Sequence, residues 1–576
     1  MKPFPRNLIA PLLVLVVTAI VYGAIYFREE SIPTAVGANL VPAERVLKGE
    51  VPYRDFYKIQ TPGILLLNAA LFKIWGTSLL TAMSGVLVFK ILTIAMVFLT
   101  GRLAGSWKGA LLGVTLSGLW LAPGGPFRPA PIQYEMLFMV SSIYFALRWL
   151  QGKNGLHIFA SGVAIGMVAI FKQNVGVYAA IALMLSIILI SRDISRSEEA
   201  TLRRAHLLKG LAAAGIGVGL PLGGLVLYLL SRGALGAAIG VFIRAPGEHI
   251  QSRFTGYPLP RYALIIFAVG VMAVMLAARL VKRSPGRKGL ILSLTLASAA
   301  ICATLVPQPA IDNSIYWFSP GLFSYAGWIY FRGMDERRVS AHQESATLLV
   351  LLLFALAAYG EVFPRSVRGL VIGALPPAFV LLAFLLDRDG RTHASHSEGA
   401  GRLEDTSSFT RRLAVAVTAT ALLVFALRVE LPEYFAIDSQ RGLSFKADTE
   451  LKFDRGRGIY LSASRAEEVS ATVDTIRSRV EEGGYFFAHA LDASSYYFLS
   501  ARNSPTGATL WNDTGTNERE RVRTMAALKE KDVRLVLTSE QAMKAEEYRP
   551  LLDLLRNDFH QLPIVIGTTV FLERNR

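Results

Sequence analysis

The residues best suited to chemistry lie together in one short segment. Within six positions the chain places Tyr53, Arg54, Asp55, Tyr57 and Lys58, between two long apolar runs. A carboxylate among cations and aromatic rings could hold an anionic, lipid-tethered sugar and accept the proton of a hydroxyl group. The same residues would also suit an ordinary polar loop at a membrane surface, with Asp55 solvated. On these residues alone, both interpretations remain open.

The composition indicates a membrane protein. The chain has 576 residues, is 52% hydrophobic, and contains repeated apolar runs of about 18 residues or more, which are typical of transmembrane helices. Lys2 and Arg6 precede a first run too long for a signal peptide, so we expect an uncleaved helix. The net charge of +17 is best explained by cationic cytoplasmic loops, and nucleic acid is not an expected partner. The single cysteine, Cys302, excludes a disulfide framework.

Thirteen apolar spans must position the polar segment, and several are short enough to need tilt or shelter by neighbours. They lie at about 8–27, 79–99, 108–122, 134–150, 156–171, 175–191, 208–230, 262–281, 289–306, 314–331, 346–360, 367–386 and 412–429. Residues 1–429 are thus predicted to form a transmembrane domain. Within it, residues 28–78 are the first outer loop, 231–261 a long outer loop, and 387–411 a flexible cytoplasmic linker.

The distribution of cations predicts the orientation. With the N-terminus in the cytoplasm, the cytoplasmic loops carry the expected excess of Lys and Arg, and the chain after about Val429 faces outward. Several outer residues depart from this rule: Arg45, Lys48, Arg54, Lys58, Lys172, Arg232, Arg244, Arg253 and Arg261. Such clusters suit phosphate binding at the outer surface, and they also suit anchoring to lipid head groups.

The last part of the chain, residues 430–576, changes character. Its patterns alternate between strands and helices, which predicts a small extracytoplasmic α/β domain large enough to bury a core. Strands are expected near 458–462, 485–490, 533–537 and 563–572, and helices near 466–482, 518–530 and 551–559. The segment has no phosphate-binding loop and no nucleophile elbow, so we expect no catalytic centre in it.

A second polar group interrupts the apolar regions at a tight turn. Lys172 could be a point charge for a lipid phosphate, with Gln173 and Asn174 as adjoining donors. Head-group anchoring explains the same residues.

Further polar residues lie at predicted outer edges. Arg128 belongs to a Pro-rich turn, and Glu135 follows it at the start of a helix, where the helix dipole alone favours an acid. Glu135 and Asp312 are candidates for the acceptor side of a site. His393 and His396 have no neighbouring acidic or cysteine ligands, so they are weak evidence for a metal site.

These segments together resemble a known family. Gly49–Phe56, then Gln60–Gly63 and an apolar stretch ending at Trp75-Gly76, resemble the first outer loop of bacterial GT-C glycosyltransferases, the group of protein mannosyltransferases (glycosyltransferase family 39) and aminoarabinose transferases. Phe171–Asn174 is similar to a second feature that recurs in this group of glycosyltransferases. The layout of the spans and the outer domain resembles that of aminoarabinose transferases. Many relatives also carry an Asp-Glu pair just after the first helix, whereas residues 32–39 contain no acid.

The resemblance implies a multi-pass enzyme of the bacterial cytoplasmic membrane. It would move a sugar from a polyprenyl-phosphate carrier to a glycolipid, polysaccharide or protein acceptor on the outer face, with Asp55 as candidate general base. The candidate ligands of substrate and lipid phosphate are Tyr53, Arg54, Lys58, Arg128, Lys172, Gln173, Asn174, Arg244, Arg253 and Arg261. An inverting displacement needs a base on one face and cations at the phosphate, so a divalent metal is optional, and the sequence shows no ligand set for one.

Two other functions compete with this one. A transporter or flippase of a lipid-linked sugar would share the spans and the outer cations. Against it, the sequence shows no inverted repeat and no charged residue recognisably buried in mid-span. A catalytically inactive scaffold for envelope assembly is the third hypothesis, since the early acidic pair is missing.

Overall fold

The computed structural model describes residues 6–33, 35–121, 129–152, 154–194, 200–243, 256–333, 339–363, 366–394, 406–438, 442–489, 492–506, 518–544, 546 and 549–575. The α-helices among these residues are α1 (Arg6–Ile25), α2 (Ala35–Leu47), α3 (Gly63–Trp75), α4 (Leu79–Ala104), α5 (Trp107–Leu121), α6 (Ile132–Gly152), α7 (Gly155–Phe171), α8 (Gln173–Ile194), α9 (Ala200–Ser231), α10 (Arg261–Arg283), α11 (Lys288–Leu305), α12 (Gln308–Gly333), α13 (Val339–Tyr359), α14 (Arg368–Gly373), α15 (Leu375–Ala394), α16 (Thr406–Tyr434), α17 (Ala463–Arg479), α18 (Ser495–Ser500), α19 (Glu518–Glu530), α20 (Glu540–Lys544) and α21 (Arg549–Asp558). The strands are β1 (Phe435–Asp438), β2 (Gly442–Phe445), β3 (Thr449–Glu450), β4 (Tyr460–Leu461), β5 (Phe487–Ala488), β6 (Leu535–Ser539), β7 (Phe559–Ile566) and β8 (Thr569–Arg574).

The helical part follows the predicted pattern of spans. Each of the thirteen apolar runs falls on helical structure, because a chain in lipid must satisfy its own backbone hydrogen bonds. Within the described residues, six helices are long and apolar enough to cross a membrane, judged by length and composition: α4, α8, α9, α10, α11 and α13. The number of helices that cross stays a prediction.

The region predicted as span 367–386 and linker 387–411 differs in detail. The span is divided between α14 and α15, because Pro376 and Pro377 fit the first turn of a helix but cannot continue one from before. Helical structure also extends into both ends of the linker, up to Ala394 and again from Thr406. Asp387 helps to hold the polar part of α15 in place, since its carboxylate accepts the N–H of Ser106 near the start of α5. Residues 395–405 lie outside the described residues.

One cation lies inside the bundle, contrary to expectation. Lys90 is in the middle of α4 and only 2% exposed. Its ammonium donates to the carbonyl of Leu121 at the end of α5 and lies 5.3 Å from the centre of the Tyr26 ring. A helix end supplies carbonyls that lack partners within the helix, so it can accept from a charge in apolar surroundings. The prediction that no charged residue is buried in mid-span is therefore wrong.

The chain after Tyr434 forms the predicted α/β structure. A four-stranded sheet has the order β5-β6-β8-β7, in which β5 is parallel to β6 while β8 is antiparallel to both of its neighbours. The three predicted helices are observed as α17, α19 and α21. The hairpin β1-β2 and the short helices α18 and α20 are additions that the sequence patterns do not reveal, because each is too short to show a periodicity.

The first outer loop and this C-terminal domain pack as one unit. One cluster of buried apolar side chains contains Leu40 of α2 and Phe72 of α3 together with Phe498 of α18. The N–H of Leu79, at the start of α4, donates to the carbonyl of Arg455 at 2.9 Å. Both parts therefore lie at one end of the helical bundle, which we call the loop end. Its placement on the outer face stays a prediction.

Candidate functional site

Asp55 lies in a tight turn of the first outer loop. The N–H of Tyr53 donates to the carbonyl of Phe56 at 2.9 Å, and Tyr53 adopts a φ of +71°, which is costly for a bulky residue. The Tyr53 side chain offsets that cost. Its hydroxyl donates to the carbonyl of Gln60 at 2.7 Å, and its ring packs edge-on against Phe242 at 5.4 Å. Burial raises the pKa of Tyr53, so the hydroxyl stays protonated and able to donate.

The Asp55 carboxylate is bound from two directions. Arg54 donates through two guanidinium nitrogens to both carboxylate oxygens at 2.8 Å, and the N–H of Val51 donates to Oδ2 at 2.7 Å. The hydrogen bond from Arg54, helped by that from Val51, lowers the pKa of Asp55 to about 2. The carboxylate is therefore ionised at neutral pH, as the neighbouring cations predict. Its side chain remains 29% exposed, so solvent reaches it.

Arg54 connects the turn to the long outer loop. Its third guanidinium nitrogen donates to the carbonyl of Arg232 at 2.8 Å, immediately after α9. Arg261 lies at the other end of that loop, exposed at the start of α10. Arg244 and Arg253, two further predicted phosphate ligands, lie outside the described residues. The structure thus brings Asp55 and Arg54 to the point where the cationic loop begins.

Lys58 faces inward. It is 8% exposed, and its ammonium donates to the carbonyl of Ala38 at 3.0 Å and to Oδ1 of Asn39 at 2.9 Å, both on α2. The amide of Asn39 continues the connection by donating to the carbonyl of Pro129 at 2.7 Å, just before α6. These contacts make Lys58 part of the framework that holds the loop on α2. Its predicted contact with a lipid phosphate stays a prediction.

Gln173 fixes the second half of the loop. Its side-chain oxygen accepts the N–H of Thr61, and its Nε2 donates to the carbonyl of Ile59, both at 3.1 Å. The hydroxyl of Thr61 donates to the carbonyl of Ala169 in α7 at 2.8 Å. The predicted donor Gln173 therefore binds the loop backbone, and Asn174 lies beside it, half-buried in the first turn of α8.

Lys172 occupies the predicted tight turn between α7 and α8 and forms an ion pair with Glu361. Glu361 belongs to the turn Gly360–Val362 that follows α13. Glu135, in the first turn of α6, is fully buried beside the Glu361 carboxylate. Both oxygens of the Glu135 carboxylate are inaccessible to solvent. Two carboxylates and one ammonium group thus lie close together, and Lys172 is adjacent in the chain to Gln173, which binds the loop backbone. Sequence reasoning missed Glu361, although a lone acid between two apolar runs is an available indication.

Asp312 lies elsewhere at the loop end. Its carboxylate is 3.5 Å from Nε of Arg368 in α14 and accepts from Gln308 of α12 at 3.3 Å. Its partners belong to these two helices rather than to the first outer loop. An acceptor-side role for Asp312 stays a prediction. Arg128 lies in the segment 122–128, outside the described residues.

Metal binding finds no support in the described part of the chain. There, no three His, Cys, Asp or Glu side chains are grouped so that they could hold an ion. The chemistry that the site offers is that of an ionised carboxylate, guanidinium groups and backbone donors.

Comparison with known proteins gives the fold. No family model matches the chain, and no curated protein matches it in sequence. It is similar to the archaeal oligosaccharyltransferase AglB from Archaeoglobus fulgidus, solved with an inhibitory peptide and a dolichol-phosphate. That match covers 100% of this chain and 75% of the other, at 12% identity and a TM-score of 0.50. A match to ArnT from Cupriavidus metallidurans, solved with undecaprenyl phosphate, covers 97% of both chains at 12% identity and a TM-score of 0.46. The chain has the GT-C fold, which confirms the predicted fold class.

Proposed function

We propose that this protein is an integral-membrane glycosyltransferase. It moves a sugar from a polyprenyl-phosphate carrier to an acceptor at the loop end of the bundle, on the outer face of the bacterial cytoplasmic membrane. The observation that carries the proposal is Asp55, an ionised and partly exposed carboxylate paired with Arg54 at the start of a cationic loop. This pairs a proton acceptor with a phosphate-binding group on one surface, as transfer from a lipid phosphate requires.

In the proposed reaction, an acceptor oxygen attacks the anomeric carbon of the sugar on the face opposite the phosphate. The bond between that carbon and the phosphate oxygen breaks, and its electron pair leaves with the polyprenyl phosphate. The configuration of the sugar inverts. The proton of the acceptor passes to Asp55 and then to solvent. A carboxylate is a weak base for a free hydroxyl, so proton transfer accompanies formation of the new bond, as the oxygen becomes acidic.

Arg54 can bind either the carboxylate of the general base, Asp55, or the phosphate of the donor. Its ion pair with Asp55 is exposed, so water screens it and the two groups separate easily. The guanidinium fork that binds the carboxylate at 2.8 Å matches two oxygens of a phosphate equally well. Donor binding at Arg54 would leave Asp55 free to face the acceptor. Arg244, Arg253 and Arg261 are proposed as further phosphate ligands on the adjoining loop.

The lipid carrier is proposed by analogy. The archaeal oligosaccharyltransferase of the same fold was solved with a dolichol-phosphate, which is a polyprenyl phosphate. That observation supports a carrier of this class here and leaves the sugar and the acceptor to experiment.

The proposal is tested with the purified full-length protein in proteoliposomes. A panel of radiolabelled polyprenyl-phosphate sugars is offered with envelope extract as acceptor. We expect transfer from at least one donor, loss of that transfer in Asp55→Asn, and its retention in Glu30→Gln, an exposed acid of the same loop. If folded protein transfers label from no donor, in proteoliposomes or in native membranes, the proposal fails.

Lys90 favours a second function. A charge buried in a membrane span often marks a path for an ion or substrate, which would suit a transporter or flippase of a lipid-linked sugar. The same proteoliposomes, without acceptor, report movement of labelled donor between leaflets. Movement that is lost in Lys90→Met, together with an absence of sugar transfer, would favour this second function.

A further inference from the structure

We infer that the C-terminal domain positions Asp55, through contacts that run from Arg455 to α2 and from α2 to the Asp55 turn. The inference rests on the proposed function of Asp55. It gives a role to a domain that has no catalytic motif of its own.

The first contact joins the domain to α2. Arg455 donates to both carboxylate oxygens of Glu44, at 2.7 and 2.9 Å, and to the carbonyl of Phe498 at 2.8 Å. The two charged side chains are 16% and 13% exposed, so solvent screens this pair less than a surface pair. Burial alone would raise the pKa of Glu44, but Arg455 and Lys48 lower it below its usual value. Glu44 is therefore ionised, and two guanidinium nitrogens of Arg455 bind its two carboxylate oxygens, a bidentate fork that fixes the side chain.

Close packing reinforces that contact. Phe72 of α3 stacks on Phe498 of α18 with ring centres 5.7 Å apart. The hydroxyl of Ser495 donates to the carbonyl of Pro33 at 3.2 Å, just before α2. At Gly37 in α2, an added Cβ would lie 2.2 Å from the hydroxyl oxygen of Ser494 and 2.7 Å from its carbonyl carbon. The domain and α2 thus touch without room for one methyl group.

The second contact joins α2 to the turn. Arg45, the neighbour of Glu44, donates to Oε2 of Glu50 at 2.8 and 2.6 Å and to the backbone carbonyl of Asp55 at 3.3 Å. Its guanidinium lies 4.8 Å from the centre of the Phe56 ring. Neighbouring residues of one helix therefore face the domain and the turn. A shift of α2 moves Arg45 and, with it, the backbone that carries the Asp55 carboxylate.

The same contacts predict how loss of the Arg455–Glu44 pair changes the kinetics. Asp55 keeps its own bonds to Arg54 and Val51 when Arg455 is lost, so its ionisation should not change. The position of the turn relative to the rest of the bundle changes instead. Because catalysis is sensitive to displacements of about 1 Å, kcat should fall, and because Arg54 moves with the turn, the donor KM should rise as well.

The experiment uses the full-length protein and a charge exchange. Arg455→Glu and Glu44→Arg alone should each lower kcat by roughly 10- to 100-fold and raise the KM of the donor. The double variant should recover most of the loss. Arg455→Lys should lie between, because an ammonium cannot form the fork. The matched control is Arg457→Glu, an exposed position two residues away, which should leave kcat unchanged.

A second readout needs no activity. Trypsin should cut after Lys48 or Arg54 several times faster in each single variant than in the wild type, and the double variant should regain protection. If the single variants leave both kcat and digestion unchanged, or the exchange restores neither, the inference is overturned. If digestion behaves as expected but Asp55→Asn transfers sugar normally, the proposed role of Asp55 fails instead.

Discussion

Replacing Asp55 by Asn tests the proposed chemistry with little change in shape. The carboxylate has three hydrogen bonds in the first outer loop, two from Arg54 and one from Val51. An Asn side chain keeps an oxygen that can accept from Val51 but loses the charge that Arg54 binds. Because the pair with Arg54 is exposed, its loss should cost little stability. The bonds of Lys58 to α2 and of Gln173 to the loop backbone are untouched.

The expected loss of activity follows from the base strength of Asp55. A positioned general base contributes about 10²–10⁴-fold to a rate, which corresponds to roughly 2.7–5.4 kcal/mol of activation free energy. Even with the usual carboxyl pKa of 3.8, which Asp55 approaches once Arg54 binds the donor, a carboxylate is a weak base at neutral pH. We therefore expect the lower part of that range, a fall in kcat of about 10²–10³-fold.

The pH dependence of protein stability gives a second prediction, whose direction follows from the pKa of Asp55. The pKa of Asp55 is lower in the folded protein than in the unfolded chain, so its ionisation stabilises the fold above pH 3.8. That contribution is lost as the pH falls from 3.8 toward 2. Asp55→Asn lacks this contribution, so it should be slightly less stable than the wild type at neutral pH, and the difference should vanish as the pH falls toward 2.

The assay measures initial rates of sugar transfer in proteoliposomes over a range of donor concentrations, with Glu30→Gln as the matched control. Thermal unfolding and donor binding are recorded for every variant. Near wild-type transfer by a folded Asp55→Asn protein would refute the assignment of the base. Glu44→Gln and Glu50→Gln should reduce transfer far less than Asp55→Asn. A dead Glu variant beside an active Asn variant would identify a different base.

The remaining predictions concern charge and topology. Lys172→Ala leaves Glu361 as a buried acid without its ion-pair partner, so it should destabilise the fold by about 3–5 kcal/mol in denaturant unfolding, and a second change, Glu361→Gln, should recover much of that loss. A stable Lys172→Ala protein with weakened donor use would instead support a direct phosphate contact. Arg253→Ala should weaken donor use by roughly 1–3 kcal/mol, measured as a rise in the donor KM, whereas an unchanged KM would favour head-group anchoring. A phosphatase fused after Arg576 should be active and a cytoplasmic reporter there silent, and the reverse result would overturn the proposed orientation.

Local patterns in the sequence are sufficient for the positions of the spans. Apolar runs of about 18 residues predict helices because lipid leaves the backbone no other partner. The same applies to helices α17, α19 and α21, whose periodicity lies within one segment. The turn at Lys172 and the ionisation of Asp55 also follow from near neighbours, since Arg54 is adjacent to Asp55 in the chain. Features of this kind depend on residues within a few positions of one another.

The partners of the charged residues required the tertiary structure. Arg455 is 411 positions from Glu44, and Lys172 is 189 positions from Glu361, so no spacing rule connects them. The direction of Lys58 depends on where α2 packs, and the burial of Lys90 depends on where α5 ends. The sequence shows that each of these side chains carries a charge. Which opposite charge or carbonyl lies beside it is decided only when distant helices meet, because a buried charge must find its partner within the packed fold.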